Sequence, residues 1–269
     1  MTLLIFLLLG LIVGSFLNVL VYRIHMAEDV IWDRSKCPRC EHLIRWYDNI
    51  PILSFILLGA RCRDCREKIS WQYPLVELFT ALMFLAIGAK FFDPADSATW
   101  LVAVYYLGII SALIVILVYD WSYMEIPSSI LWTAIFGAIA FNLYFDWLNF
   151  YNFPGAESLF DFKLYSGAVA GILAFIFFFS LSAISREKWM GMGDAYLALL
   201  LGLVLGWPEI ILAIFLAFFI GAVSGSILMI FGRKNLKSQI PFAPFLIAGT
   251  IISLFFYFPI AEWYWNLLA

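Results

Sequence analysis

Charge is the first thing this chain lacks: 13% of its 269 residues are Asp, Glu, Lys or Arg, against about a quarter in a soluble domain. That scarcity excludes an ordinary water-soluble fold. A net charge of −3 leaves no broad basic surface for nucleic acid. There are only two histidines, His25 and His42, and only four cysteines. No Lys or Arg precedes the apolar stretch Met1 to Leu20, so the basic opening of a cleaved secretory signal is missing and that stretch is expected to stay as a first span. A glycine-rich nucleotide fingerprint of the soluble kind is missing as well.

What the chain has in excess is apolar sequence, 64% of the whole. Crossing a bilayer takes roughly 20 such residues. Eight segments qualify, at about 2–22, 74–92, 100–119, 128–146, 162–184, 194–207, 209–231 and 242–261. The sixth is short and stops at the turn-forming Gly206-Trp-Pro-Glu209. Basic loops stay cytoplasmic. With the N-terminus outside, loops 23–73, 185–193 and 232–241 are inside and hold fourteen of the sixteen Lys and Arg residues, leaving only Lys90 and Lys163 outside. Eight spans then return the aromatic C-terminal segment Glu262 to Ala269 to the outer face.

All four cysteines fall in the first inner loop, as Cys37-Pro-Arg-Cys40 and Cys62-Arg-Asp-Cys65, with twenty-one residues between the pairs. Two C-x-x-C knuckles at such spacing suit a closed tetrahedral zinc site that folds a loop and does not activate water. Iron fits the same ligand type. Two disulfides are the alternative, disfavoured in a reducing cytoplasm. His25 and His42 read as exposed loop residues. The expected fold class is therefore an all-α polytopic membrane protein of about eight transmembrane helices with a small cytoplasmic zinc-knuckle loop domain. Its divisions are a first span at 1–22, the loop domain at 23–73 and a transmembrane core at 74–269.

Two acids stand out against this background. Asp120 closes the run that starts at Ala112, and Asp194 closes Gly191-Met-Gly-Asp194 before another apolar run. A carboxylate at membrane depth costs roughly 3 kcal/mol on insertion scales, which makes each a functional-site hypothesis. The topology sets both near the cytoplasmic side. Two carboxyls held close share one proton, so one can take a proton from water while the other hydrogen-bonds a peptide carbonyl. Gly191 and Gly193 would let a substrate backbone approach. Helix dipoles suggest Asp194, near an N-terminus, as base and Asp120, near a C-terminus, as acid. The bland reading makes each Asp a helix cap or an interfacial residue.

The words around these acids run Gly14-Ser-Phe-Leu-Asn-Val19, Arg34-Ser-Lys-Cys-Pro38, Trp46-Tyr-Asp-Asn-Ile-Pro-Ile-Leu-Ser54, Ile69-Ser70 and Tyr73-Pro-Leu-Val-Glu77. They continue through Asp120, Gly191-Met-Gly-Asp194 and Pro241-Phe-Ala-Pro-Phe245. Over nearly its whole length the chain resembles the type IV prepilin peptidase family, and its Gly-x-Gly-Asp element is similar to that of presenilin-like intramembrane aspartic proteases. The resemblance implies an endopeptidase of the bacterial inner membrane. Its substrates would be type IV prepilins or type II secretion pseudopilins, whose short basic leader it removes after a glycine on the cytoplasmic side, with Asp120 and Asp194 as the catalytic pair. It also implies N-methylation of the new N-terminus by S-adenosylmethionine, with Glu77 as the candidate residue and Gly14 and Asn18 beside it. The chain departs from the family pattern at Gly59-Ala-Arg-Cys62, at Glu125-Ile-Pro127 and at Ala195-Tyr196 after the second Asp.

Small residues in the fifth span, Gly167, Ala168, Ala170 and Gly171, and in the seventh, Gly221, Ala222, Ser224 and Gly225, permit close helix contact. Asp33, Glu41, Asp48, Asp64, Glu67, Glu125 and Glu187 offer acids to a basic leader or simply form a solvated mixed-charge face. The rival from another class is a proton- or cation-coupled transporter using the two aspartates. It predicts acids spread along a pathway, whereas this chain gathers its pair at one face.

Overall fold

A bilayer core offers no water to backbone N–H and C=O groups, so an apolar chain must satisfy them inside helices. The computed structural model describes residues 1–29, 35–152, 159–188, 190–231 and 241–268. Its helices are α1 (Thr2–Met26), α2 (Leu53–Leu57), α3 (Gln72–Phe91), α4 (Ser97–Tyr123), α5 (Ser128–Asn152), α6 (Lys163–Ser185), α7 (Met192–Leu205), α8 (Glu209–Ile230) and α9 (Ala243–Leu268). Short 3-10 turns lie at Trp46–Asn49 and Leu159–Asp161. Among the described residues extended backbone pairs only at Lys36 with Leu43 and at Arg61 with Lys68.

Each of the eight expected spans is a helix. Among the described residues seven are long and apolar enough to cross a membrane, while Met192–Leu205, the sixth segment, is shorter. The protein is thus a multi-pass, all-helical membrane protein. α4 runs past the expected end at 119 to Tyr123, which takes Asp120 inside the helix. α9 continues through Pro259 to Leu268, so the terminal aromatics Trp263, Tyr264 and Trp265 ride on a helix. Most of the basic segment expected at 232–241, together with Asp33 and Arg34, lies outside the described residues.

The chain forms two compact units, residues 1–118 and 119–269. In the first, α1 and α3 pack along their lengths because glycines let the backbones meet. A Cβ on Gly10 would lie 2.6 Å from Ala81 Cα, and one on Gly14 would lie 2.8 Å from Glu77 Cα. Ala81 and Ile87 are fully buried in this seam. The cysteine loop and α2 occupy the stretch between the two helices.

In the second unit, α7 is the centre of the core, with Leu197, Leu200 and Leu201 buried on several sides. The predicted small residues of the fifth span do pack within the chain: a Cβ on Gly171 would lie 3.2 Å from Leu199 Cδ1 and one on Gly167 2.9 Å from the Leu203 carbonyl. Asn142 of α5 donates its Nδ2 to that same carbonyl at 2.9 Å, filling the bond that a helix C-terminus leaves open. Ser166 Oγ accepts the Trp207 N–H at 2.9 Å and fixes the α7–α8 turn to α6.

Candidate active site

Asp194 takes its place from local rules. α6 stops where Arg186 and Glu187 adopt left-handed backbone, at φ 50 and 60. Gly191 then caps α7 in extended conformation, which makes Asp194 the third helical residue. The Gly191 N–H donates to the Asp194 carboxylate, the reciprocal contact of a capping box with Asp in the usual Glu position. So the bland reading holds in part: Asp194 does help to cap its helix, although the N-cap itself is Gly191. The same carboxylate has Asp120 as an electrostatic neighbour.

Asp120 sits in the last turn of α4, where its own carbonyl accepts the Met124 N–H at 2.9 Å. Met124 then turns the chain with φ 57, and Ile126 folds onto Gly193: a Cβ there would lie 3.2 Å from Ile126 Cδ1. A Cβ on Gly191 would meet little except Asp194 Oδ2 at 3.9 Å. Both aspartates are buried, and Asp120 Oδ2 has no hydrogen-bond partner. The Asp120 carboxyl does receive the backbone N–H of Ala243, the first residue of α9.

That last contact amends the dipole argument. Asp120 lies near the C-terminus of α4 but faces the N-terminus of α9, so each acid has a helix N-terminus beside it and the dipoles no longer assign one as acid and one as base. Sequence reasoning gave Pro241-Phe-Ala-Pro-Phe245 no role. The available signal was Pro244, harmless in a first helical turn because the N–H it lacks would have no partner there. An aromatic cluster holds this end of α9: Phe242 lies 5.3 Å from Phe218 and 6.0 Å from the fully buried Phe178.

In the first unit, Gly14, Asn18 and Glu77 form one neighbourhood. Glu77 is buried and accepts the Ile52 N–H at 2.7 Å and the Ser15 hydroxyl. Asn18 Nδ2 donates to the carbonyls of Gly14 at 3.3 Å and Tyr73 at 3.2 Å, while its Oδ1 is buried without a partner. Gly14 serves close packing on Glu77. The contribution of Ser15 and Ile52 was not foreseen, since it depends on where a loop peptide lands.

The four cysteines are unbridged, and their sulfur atoms lie within 4.8 Å of one another, with Cys37 and Cys65 at 3.9 Å. Four sulfurs around an ion at about 2.3 Å stand roughly 3.8 Å apart, so the donor set fits a tetrahedral metal. Neither histidine belongs to the group. Burial pushes the Cys37 thiol up, but backbone N–H groups of Cys40 and Arg39 and the thiols of Cys40 and Cys62 bring it down to about 7. The Glu67 N–H pulls Cys65 down, yet burial and the thiols of Cys62, Cys40 and Cys37 push it to about 12. Asp48, one of the acids considered for a basic leader, is occupied: its carboxylate takes two bonds from Arg63, at 2.8 and 2.6 Å.

A bacterial peptidase A24 N-terminal domain matches residues 8–91, and the type IV leader peptidase family matches residues 107–226. A prepilin leader peptidase/N-methyltransferase of Myxococcus xanthus is 35% identical over 235 residues, 86% of this chain and 64% of that protein. One from Burkholderia pseudomallei is 32% identical, over 92% of this chain and 83% of its own length. One from Bacillus subtilis is 33% identical, over 91% and 90%. No solved structure matches the chain.

Proposed function

We infer that this chain, which belongs to the type IV leader peptidase family, is a membrane-embedded aspartic endopeptidase that removes the leader of a type IV prepilin or type II secretion pseudopilin. Asp120 and Asp194 are its catalytic pair. One observation carries the reading: two buried carboxyls from distant parts of the chain are electrostatic neighbours, and one keeps an oxygen without a partner. Out of water such a pair holds a single proton between its members. The anionic member takes a proton from the attacking water, and the protonated member donates to the carbonyl oxygen of the scissile peptide. Gly191 and Gly193 leave room for the substrate backbone. The family match gives a transport role no support.

The test is cleavage of a purified prepilin by the protein in liposomes, with Asp120→Asn and Asp194→Asn in parallel. Each substitution should lower the rate roughly a thousandfold or more with the helical content intact. Full leader removal by either variant would end this assignment.

A second activity, N-methylation of the exposed N-terminus by S-adenosylmethionine, rests on Glu77, Gly14 and Asn18. The orphan Asn18 Oδ1 favours it, because a buried acceptor beside a carboxylate suits an amine. The metal at Cys37, Cys40, Cys62 and Cys65 is zinc in a structural role, which the all-thiolate donor set supports. The Lys and Arg distribution supports a bacterial inner-membrane orientation with both termini outside and the aspartates near the cytoplasmic face. In that frame residues 23–73 are a cytoplasmic loop domain.

A further inference from the structure

We propose that residues 50–58 of the cysteine loop are a membrane-immersed element, dipping into the headgroup–acyl boundary of the bilayer and tethering there a metal-binding module whose knuckles stay on the aqueous side. The first sign is helix α2, whose polarity is inside out. Its one hydroxyl is buried: Ser54 Oγ accepts the Ile50 N–H at 3.1 Å and donates to the Tyr47 carbonyl at 2.8 Å. Its large apolar side chains point away from the protein, with Leu53 49%, Ile56 66% and Leu57 76% exposed. Positions i, i+3 and i+4 share one helix face, so these three make a single outward stripe. A helix in a water-exposed loop would turn such a stripe inward.

The second sign is position. Ile52, at the start of α2, donates its N–H to Glu77 of α3 at 2.7 Å, and the Phe55 ring lies 5.0 Å from Trp71, the N-cap of α3. Helix side chains lean toward the N-terminus, so these two contacts set α2 beside the first turns of a membrane span, at the depth where that span meets the interface. On α3 itself Leu75, Leu78 and Leu82 are exposed in the same way, and lipid is what covers a span. Trp46 and Trp71, both exposed, flank α2 as aromatic residues flank membrane interfaces.

Charge completes the fit. Just after α2 come Arg61, Arg66 and Lys68 against Asp64 and Glu67, with Arg63 already paired to Asp48, a small cationic excess that anionic headgroups attract. The occupant of the stripe is therefore lipid. Its place beside α3, a span whose Leu75, Leu78 and Leu82 are exposed, argues against a soluble partner.

The test uses the full chain in vesicles of phosphatidylethanolamine and phosphatidylglycerol, carrying a photoreactive benzophenone residue in place of Ile56 or Leu57. A third variant carries it in place of Arg39, in the first knuckle. Every probe replaces an exposed side chain, so folding is not at stake. Lipid adducts at 56 and 57 should exceed those at 39 about tenfold, as expected for residues buried in the interface. Adduct yields equal to those at 39, or crosslinks directed to a second copy of the chain or to an added prepilin helix, would overturn the proposal.

Discussion

The backbone N–H of Ala243 is directed at the carboxyl group of Asp120. The contact ties the end of α4 to the beginning of α9, and Phe242, the residue before Ala243, is packed in a cluster of rings with Phe218 and Phe178.

Phe242→Ala should therefore impair an enzyme whose acids are intact. Removing the ring that lies 5.3 Å from Phe218 loosens the start of α9, and a displacement of about 1 Å at a catalytic group costs on the order of a hundredfold in rate. The expected result is a fall of tenfold to a hundredfold in leader cleavage, measured by gel, with a smaller effect on the thermal midpoint.

The two glycines before Asp194 should respond differently, Gly193 in stability and Gly191 in cleavage. Gly193→Ala sets a methyl 3.2 Å from Ile126 Cδ1 and 3.3 Å from its Cβ, an overpacking of about 1 kcal/mol that Ile126→Val, which removes only Cδ1, should relieve in part. Gly191 has φ −73, open to any residue, so Gly191→Ala should cost no more than about 1 kcal/mol as a poorer cap. Its methyl points into space near Asp194 Oδ2, and cleavage should fall further than stability does. Thermal midpoints and cleavage rates of the three variants together check the pattern.

Glu77 combines a structural bond with a proposed chemical role, and two substitutions separate them. Glu77→Gln keeps an oxygen for the Ile52 N–H but loses the negative charge, so methyl transfer from labelled S-adenosylmethionine should vanish while leader cleavage persists. Glu77→Ala also frees that N–H, at about 1–3 kcal/mol if it stays buried. Proteolysis within residues 50–58 should then accelerate.

Metal binding at the four cysteines should weaken as pH falls. Each thiol must lose its proton to bind. Cys65, held up to about 12, keeps its proton at neutral pH until a metal displaces it, whereas Cys37, at about 7, is already half ionised there. Protons therefore compete with the ion throughout the neutral range, and affinity rises from pH 6 to pH 8. Metal analysis should find about one equivalent per chain, and chelation should expose four reactive thiols.

How much of this was legible in the sequence depended on how local the cause was. Helices such as α1, α3 and α6 were readable because hydrocarbon leaves an apolar segment no alternative conformation. The cysteine group was readable because two short knuckles carry their own geometry. Asp120 and Asp194 stood out by their polarity at the ends of apolar runs, and the words around them supplied the pairing. The Ala243 contact, Ile126 over Gly193 and the Ile52–Glu77 bond were not readable, since each joins positions whose meeting depends on how whole helices pack. α2 was lost inside a stretch treated as an aqueous loop, although Ile50-Pro-Ile-Leu-Ser-Phe-Ile-Leu-Leu58 is apolar almost throughout.

The 14 residues of α7 extend about 21 Å at about 1.5 Å each, well short of the roughly 30 Å that a helix needs to cross the hydrocarbon. Because α7 is packed among other helices and not against lipid, the shortfall leaves one of its ends below the bilayer surface and open to water, and the end that begins with Asp194 is the polar one. Vesicles of short-chain lipids should accordingly hydrolyse a prepilin faster than vesicles of long-chain lipids at equal enzyme density. Membrane thickness then becomes a variable of the reaction rate.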